Sequence, residues 1–192
     1  MLARFAARIL VVCPRCSGRA VVVPRPGASE LRDYVDLLFL SRRLACARCG
    51  AAAGWEPERR GGARVGVTLG GPAEPFFDRP LWLQTRCAGR LLWAYDIEHV
   101  DALTAYIGAR LRERGSPSSL AMIPRLPDWM TSAANRSEVV AGLAAPRVQA
   151  ERSAPDDRPD TADGSASRPQ RRRATYQPRS RLDPNSPLVH TH

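Results

Sequence analysis

A chain of 192 residues has room for one ordinary domain, or for a small metal-stapled domain beside a second one. The formal charge of +10 rests on 29 basic residues, every one an arginine, a bias that a GC-rich coding sequence imposes without any functional demand. The lack of lysine excludes a G-x-x-x-x-G-K-[ST] phosphate loop, and no run approaches the roughly 20 apolar residues of a membrane helix.

In chain order, Leu2, Phe5, Ala6 and Ile9 recur at helical spacing and predict a short helix before a strand. Arg4 and Arg8 interrupt what would have to be the apolar core of a secretory signal, so a cytoplasmic protein with reduced thiols is expected. The strand Ile9 to Val12 then enters Cys13-Pro14-Arg15-Cys16, and Leu44 and Ala45 enter Cys46-Ala47-Arg48-Cys49. A small turn follows each pair, at Ser17-Gly18 and at Gly50, where backbone N–H groups can point at the sulfurs. Two C-x-x-C knuckles supply the four thiolates of a closed tetrahedral shell, for which one zinc ion is the first choice.

The 29 residues between Cys16 and Cys46 exceed the commonest zinc spacing and also resemble the gap in rubredoxin, which holds a single redox-active iron. Against iron stand the basic character of the segment and its lack of an aromatic core, with only Tyr34 and Phe39 in the gap. Structural disulfides are disfavoured by the odd fifth cysteine, Cys87, and by the intracellular expectation.

Between the knuckles, Arg19 to Val23 is the returning strand of a hairpin, stopped by Pro24 and Pro26. Leu31, Tyr34, Val35, Leu38 and Phe39 predict a short helix before the strand that carries Arg42 and Arg43. After the strand Ala51 to Trp55, Gly61-Gly62 and Gly70-Gly71-Pro72 mark flexible connections around Val65 to Leu69. Pro80-Leu81-Trp82-Leu83-Gln84-Thr85 and Arg90-Leu91-Leu92-Trp93-Ala94-Tyr95 then predict a hairpin turning at Arg86-Cys87-Ala88-Gly89.

Asp96 stands where an N-cap belongs, before a helix with the apolar stripe Ile97, Val100, Thr104, Ile107 and Leu111 that ends at Gly115. His99 falls on its polar face and is expected at the surface. Two further helical pieces, around Leu126 to Met130 and Ser137 to Leu143, complete the predicted order, and the tail from Pro146 lacks large apolar residues and is expected to be disordered. The fold class is α+β, divided into a zinc ribbon (1–65), a hairpin and helical module (66–145) and a disordered tail (146–192).

Cys13-Pro14-Arg15-Cys16, Leu44 to Gly50, Pro80 to Thr85, Leu92 to Val100, Leu126 to Ala133 and Asn135-Arg136 together resemble a family of bacterial zinc-ribbon-containing proteins of the transcription-factor-IIB type. The resemblance covers residues 8–143 and implies a metal-binding ribbon without a known activity. The hairpin turn of that family often bears two adjacent cysteines, where this chain has Arg86-Cys87.

Catalysis has little support, because a closed four-thiolate site leaves no position for water. Cys87 and His99 would form a nucleophilic pair only if the fold brought them within hydrogen-bond reach. The expectation is a binding module that presents Arg15, Arg19, Arg42, Arg43 and Arg48 to a nucleic-acid backbone. The alternative is a protein-docking adaptor anchored by exposed Trp82 or Trp129.

Overall fold

The structure, a computed structural model, describes residues 2–27, 33–108, 126–162 and 175–176. Residues Leu2–Ala7 form a 3-10 segment that buries Ala3, Phe5 and Ala6, and they lead into the first of four antiparallel strands. These are β1 (Ile9–Val12), β2 (Arg19–Pro24), β3 (Arg42–Ala45) and β4 (Ala52–Trp55), hydrogen-bonded in that order. Both cysteine pairs therefore lie at hairpin tips, as the spacing predicts. The helix expected between β2 and β3 is a 3-10 segment, Tyr34–Leu38, capped by the Asp33 carboxylate; Leu31 lies outside the described residues.

All four side chains of β1 are buried, because the chain crosses a second time on its free edge. Leu10 N–H donates to the Tyr95 carbonyl at 2.8 Å, Trp82 N–H to the Leu10 carbonyl at 2.9 Å, and Val12 N–H to the Pro80 carbonyl at 2.9 Å. Alternation along the strand then serves two cores. Ile9 and Val11 pack with Phe5, Val22, Leu37, Leu44, Phe76, Leu81 and Tyr95, whereas Leu10 and Val12 pack with Trp82, Leu83, Leu92, Val100 and Leu143. No break in packing separates the ribbon from the chain that follows it.

The glycine-rich stretch after β4 forms a second hairpin, β5 (Glu58–Arg60) with β6 (Ala63–Val65), and a short strand β9 (Thr175–Tyr176) pairs with the far edge of β6. Val67, between the two glycine pairs, is buried, with its N–H donating to the Leu38 carbonyl. The predicted aromatic hairpin is β7 (Leu83–Cys87) with β8 (Arg90–Ala94), closing at Ala88-Gly89. Helix α1 (Ile97–Gly108) follows, and α2 (Asp128–Thr131), α3 (Arg136–Gly142) and α4 (Ala144–Gln149) cover the hairpin. Leu111 and Gly115, the predicted end of the first helix, lie outside the described residues.

Two expectations fail here. His99 is 2 % exposed, not a surface residue: α1 buries His99, Val100, Leu103 and Ile107, while the Thr104 hydroxyl bonds back to the Val100 carbonyl at 2.9 Å. The disorder expected from Pro146 is not found over residues 146–162, and the rest of that expected tail, apart from 175–176, lies outside the described residues. Residues 146–162 form α4 and a strap that crosses back to the ribbon, where Arg19 N–H donates to the Ser153 carbonyl at 3.0 Å and Ala162 is buried. Trp82, fully buried, donates its indole N–H to the Gln149 carbonyl at 2.9 Å. The strap is held largely through backbone carbonyls, an interaction that a composition poor in apolar side chains does not disclose.

Candidate metal centre

The two knuckles repeat one backbone pattern. Cys13 N–H donates to the Gly18 carbonyl and Ser17 N–H to the Cys13 carbonyl; Cys46 N–H donates to the Ala51 carbonyl and Gly50 N–H to the Cys46 carbonyl. Ser17 and Gly50 are thus equivalent, and both adopt positive φ, 58° and 69°. Gly18 answers a different need. A Cβ there would stand 2.8 Å from the Ser153 carbonyl oxygen, so the strap can pass over the first knuckle only at glycine.

β1 and β3 are both neighbours of β2, and their alignment brings the hairpin tips together. The four sulfurs lie within 4.8 Å of one another, with Cys13 Sγ to Cys49 Sγ and Cys16 Sγ to Cys46 Sγ each 3.7 Å. A tetrahedron with metal–sulfur bonds of about 2.3 Å has edges of about 3.8 Å. The two 3.7 Å separations match those edges and are far from the roughly 2.05 Å of a disulfide. The Cys13-Cys16-Cys46-Cys49 group can therefore hold a metal ion.

Local electrostatics favour thiolate at one corner. Burial pushes the Cys13 thiol up, but the N–H groups of Cys16 and Arg15 and the neighbouring thiols pull it down further, to about 7; Arg15 N lies 3.4 Å from Cys13 Sγ. At Cys16 the Gly18 N–H pulls down, yet burial and the three crowded sulfurs outweigh it and hold the proton, to about 12. Such crowding is relieved by a cation among the sulfurs.

The five arginines expected to face an acidic partner divide sharply. Arg15, Arg43 and Arg48 are exposed, and the Arg15 guanidinium reaches the Cys49 carbonyl at 3.5 Å, bridging the knuckles. Arg19 is half-buried and donates to the Ala150 carbonyl in the strap. Arg42 cannot contact a partner at all. It is 0 % exposed, donates to the Ala6 carbonyl at 2.7 Å and to the Leu37 carbonyl, and lies over the Phe76 ring at 4.4 Å. Burial lowers its pKa to about 10, opposed by the charge of buried Glu74. The strand's own alternation carries the signal for this, since Arg42 is in phase with core Leu44 and Arg43 is not.

His99 and Cys87 offer no nucleophilic pair. The imidazole stacks on Phe5 at 4.5 Å, and its Nδ1 accepts from Tyr95 N–H at 3.2 Å. Burial lowers its pKa to about 4. Cys87 is buried beneath α3, close to where a Cβ on Gly142 would lie, and burial followed by the Glu138 charge raises its pKa. Burial also rules out Trp82 as an exposed anchor, while Trp129 is half-buried against the second core. Among the described residues, no helix is long and apolar enough to cross a membrane.

Comparison of the chain with protein-family models, with curated proteins and with solved structures finds no match.

Proposed function

We propose that this chain is a zinc-ribbon binding module, akin to the transcription-factor-IIB type, in which one zinc ion is structural and the exposed arginines around it contact a nucleic-acid backbone. The metal reading is supported by four sulfurs gathered within 4.8 Å of one another, two pairs of them at the 3.7 Å expected of a tetrahedral edge. Zinc is preferred to iron because a closed four-sulfur shell at paired hairpin tips is its structural coordination, and the segment is basic. Such a shell has no open position for water, so the protein binds and does not catalyse. Thiols kept free for metal suit a reducing compartment such as the cytoplasm.

The observation that carries the nucleic-acid reading is the placement of Arg15 and Arg48 on two convergent knuckles, both exposed, with Arg43 exposed on β3. Four thiolates and one zinc ion leave a net −2, which the flanking guanidinium groups offset. Their forked donors match phosphate oxygens. The test is a titration of metal-loaded protein with single- and double-stranded DNA and RNA at two salt concentrations. Arg15→Ala/Arg48→Ala, with unchanged zinc content, should weaken binding and flatten the salt dependence by about one unit for each phosphate no longer neutralised. No binding by the wild type at low salt would reject this reading in favour of a protein-docking ribbon.

A further inference from the structure

Beside the second knuckle hairpin lies a groove of about 510 Å³ whose charged lining is Arg25, Glu56, Arg59 and Arg64, with Leu40 and Pro57 as apolar wall. Arg59 of β5 and Arg64 of β6 are register partners, directly opposite across the hairpin. Opposed residues of an antiparallel pair share a face, and like charges in that position repel.

Among the described residues, no acid is left to neutralise them. The groove's acid, Glu56, is engaged by Arg25 Nη1 at 2.8 Å and by the Ser41 hydroxyl, and Glu58 pairs with Arg60 at 2.8 Å. Among the described residues, neither Arg59 nor Arg64 has a carboxylate within ion-pair distance. Thr175 and Tyr176 of β9, paired with β6 on its far side, bring no carboxylate, so two facing guanidinium groups in a concavity mark a place for an anion.

We propose that this groove binds a phosphate-bearing ligand of nucleotide size, with the phosphate between Arg59 and Arg64. Two forked guanidinium groups match a phosphate dianion in both charge and geometry. The volume lies in the range of small-ligand sites, roughly 300–1,000 Å³, and leaves room for a nucleoside against Leu40 and Pro57. The same chemistry is offered by a free nucleotide and by the phosphorylated end of a strand. A strand would continue along the exposed Arg43, which is opposite Gly54 on the sheet face where the Arg25 guanidinium lies. The site needs neither knuckle arginine and so stands apart from the surface proposed above.

The experiment uses the metal-loaded full chain and reads calorimetric affinity and thermal shift with AMP, inorganic phosphate, and one short oligonucleotide with and without a 5′-phosphate. The wild type should bind AMP more tightly than phosphate. Arg59→Gln/Arg64→Gln should lose at least tenfold in AMP affinity while its ligand-free melting temperature holds or rises, because the repulsion is gone; Arg60→Gln and Arg15→Ala/Arg48→Ala should leave AMP binding intact. A preference for the 5′-phosphorylated over the unphosphorylated oligonucleotide that is lost in Arg59→Gln/Arg64→Gln and kept in Arg15→Ala/Arg48→Ala, without AMP binding, would still support the groove and identify its ligand as a strand end. Failure of the wild type to bind either AMP or the phosphorylated oligonucleotide, equal affinity in the Arg59/Arg64 variant, or phosphate bound as tightly as AMP would each overturn the inference.

Discussion

The knuckle tips and the junction beneath them use the same residue types, polar and ionisable, to opposite ends. At the tips, the half-exposed Cys16 and Cys49 and the buried Cys13 and Cys46 are held by turns a few residues long, and their sulfurs converge on one point. At the junction, Arg42, Glu74, Asp96 and His99 are buried and their partners lie largely in the protein itself. Glu74 accepts from Phe76 and Phe77 N–H groups at 2.8 Å each, and Asp96 accepts from His99 N–H at 2.8 Å. Convergence on a shared ligand marks a candidate site, whereas convergence on backbone amides and carbonyls marks a scaffold.

The largest effect that separates the two regions should come from the metal. Cys46→Ser, or a chelator, is expected to remove most of the metal-binding free energy, about 10–16 kcal/mol for structural zinc in small peptides. Elemental analysis should find one zinc per native chain, and hydrogen exchange should show protection disappearing first at the tips of β1 to β4. Iron in its place, or an unaltered fold with four free thiols, would refute the zinc assignment.

Next in size is the contrast between adjacent residues of β3. Arg42→Ala leaves the Ala6 and Leu37 carbonyls without their donor and removes a buried positive charge that interacts with Glu74, and should cost about 3–5 kcal/mol in chemical denaturation. Arg43→Ala, one residue away and exposed, should change stability by no more than about 0.5 kcal/mol. Comparable losses in both variants would mean that the buried guanidinium is not structural.

The junction also has a pH signature. Burial lowers His99 from 6.5 to about 4, so its contribution is complete above 6.5 and is lost as pH falls towards 4. Asp96 is raised from 3.8 to about 6 by burial, against the His99 N–H bond, so its contribution is complete below 3.8 and is lost as pH rises through 6. The slopes oppose each other in the wild type. Relative to wild type, Asp96→Asn should gain stability from pH 4 to 6.5 and His99→Phe should lose it; melting curves of both variants on the same slope would disprove the assignment.

The features legible in the sequence are those set by neighbours in the chain. C-x-x-C spacing, the hairpin expected to turn within Arg86-Cys87-Ala88-Gly89 and the Asp96 cap each depend on a few consecutive residues, and all three stand in the structure, the turn narrowed to Ala88-Gly89. Arg42, His99 and the strap at 146–162 depend on elements far along the chain. A stripe drawn through Thr104 puts His99 on the polar side of α1, whereas the buried face runs through Leu103, and only packing against Phe5 and Trp93 identifies it. The Arg59–Arg64 pair requires register, which depends on where the hairpin turns.

The smallest effect lies within the tips and tests whether the two knuckles are equivalent. Ser17 and Gly50 occupy the same step of the repeated pattern at φ 58° and 69°, a region that disfavours any side chain. A Cβ at Gly50 would meet nothing within 4 Å, so Gly50→Ala carries backbone strain alone and should cost about 1–2 kcal/mol. Ser17 already bears that strain, so Ser17→Gly should relieve it, less the extra chain entropy of glycine, for a gain of up to about 1 kcal/mol. The two substitutions should move the melting temperature of the metal-loaded protein in opposite directions with zinc content unchanged. A drop in both would show that the Ser17 side chain holds the first knuckle in a way the second does not share.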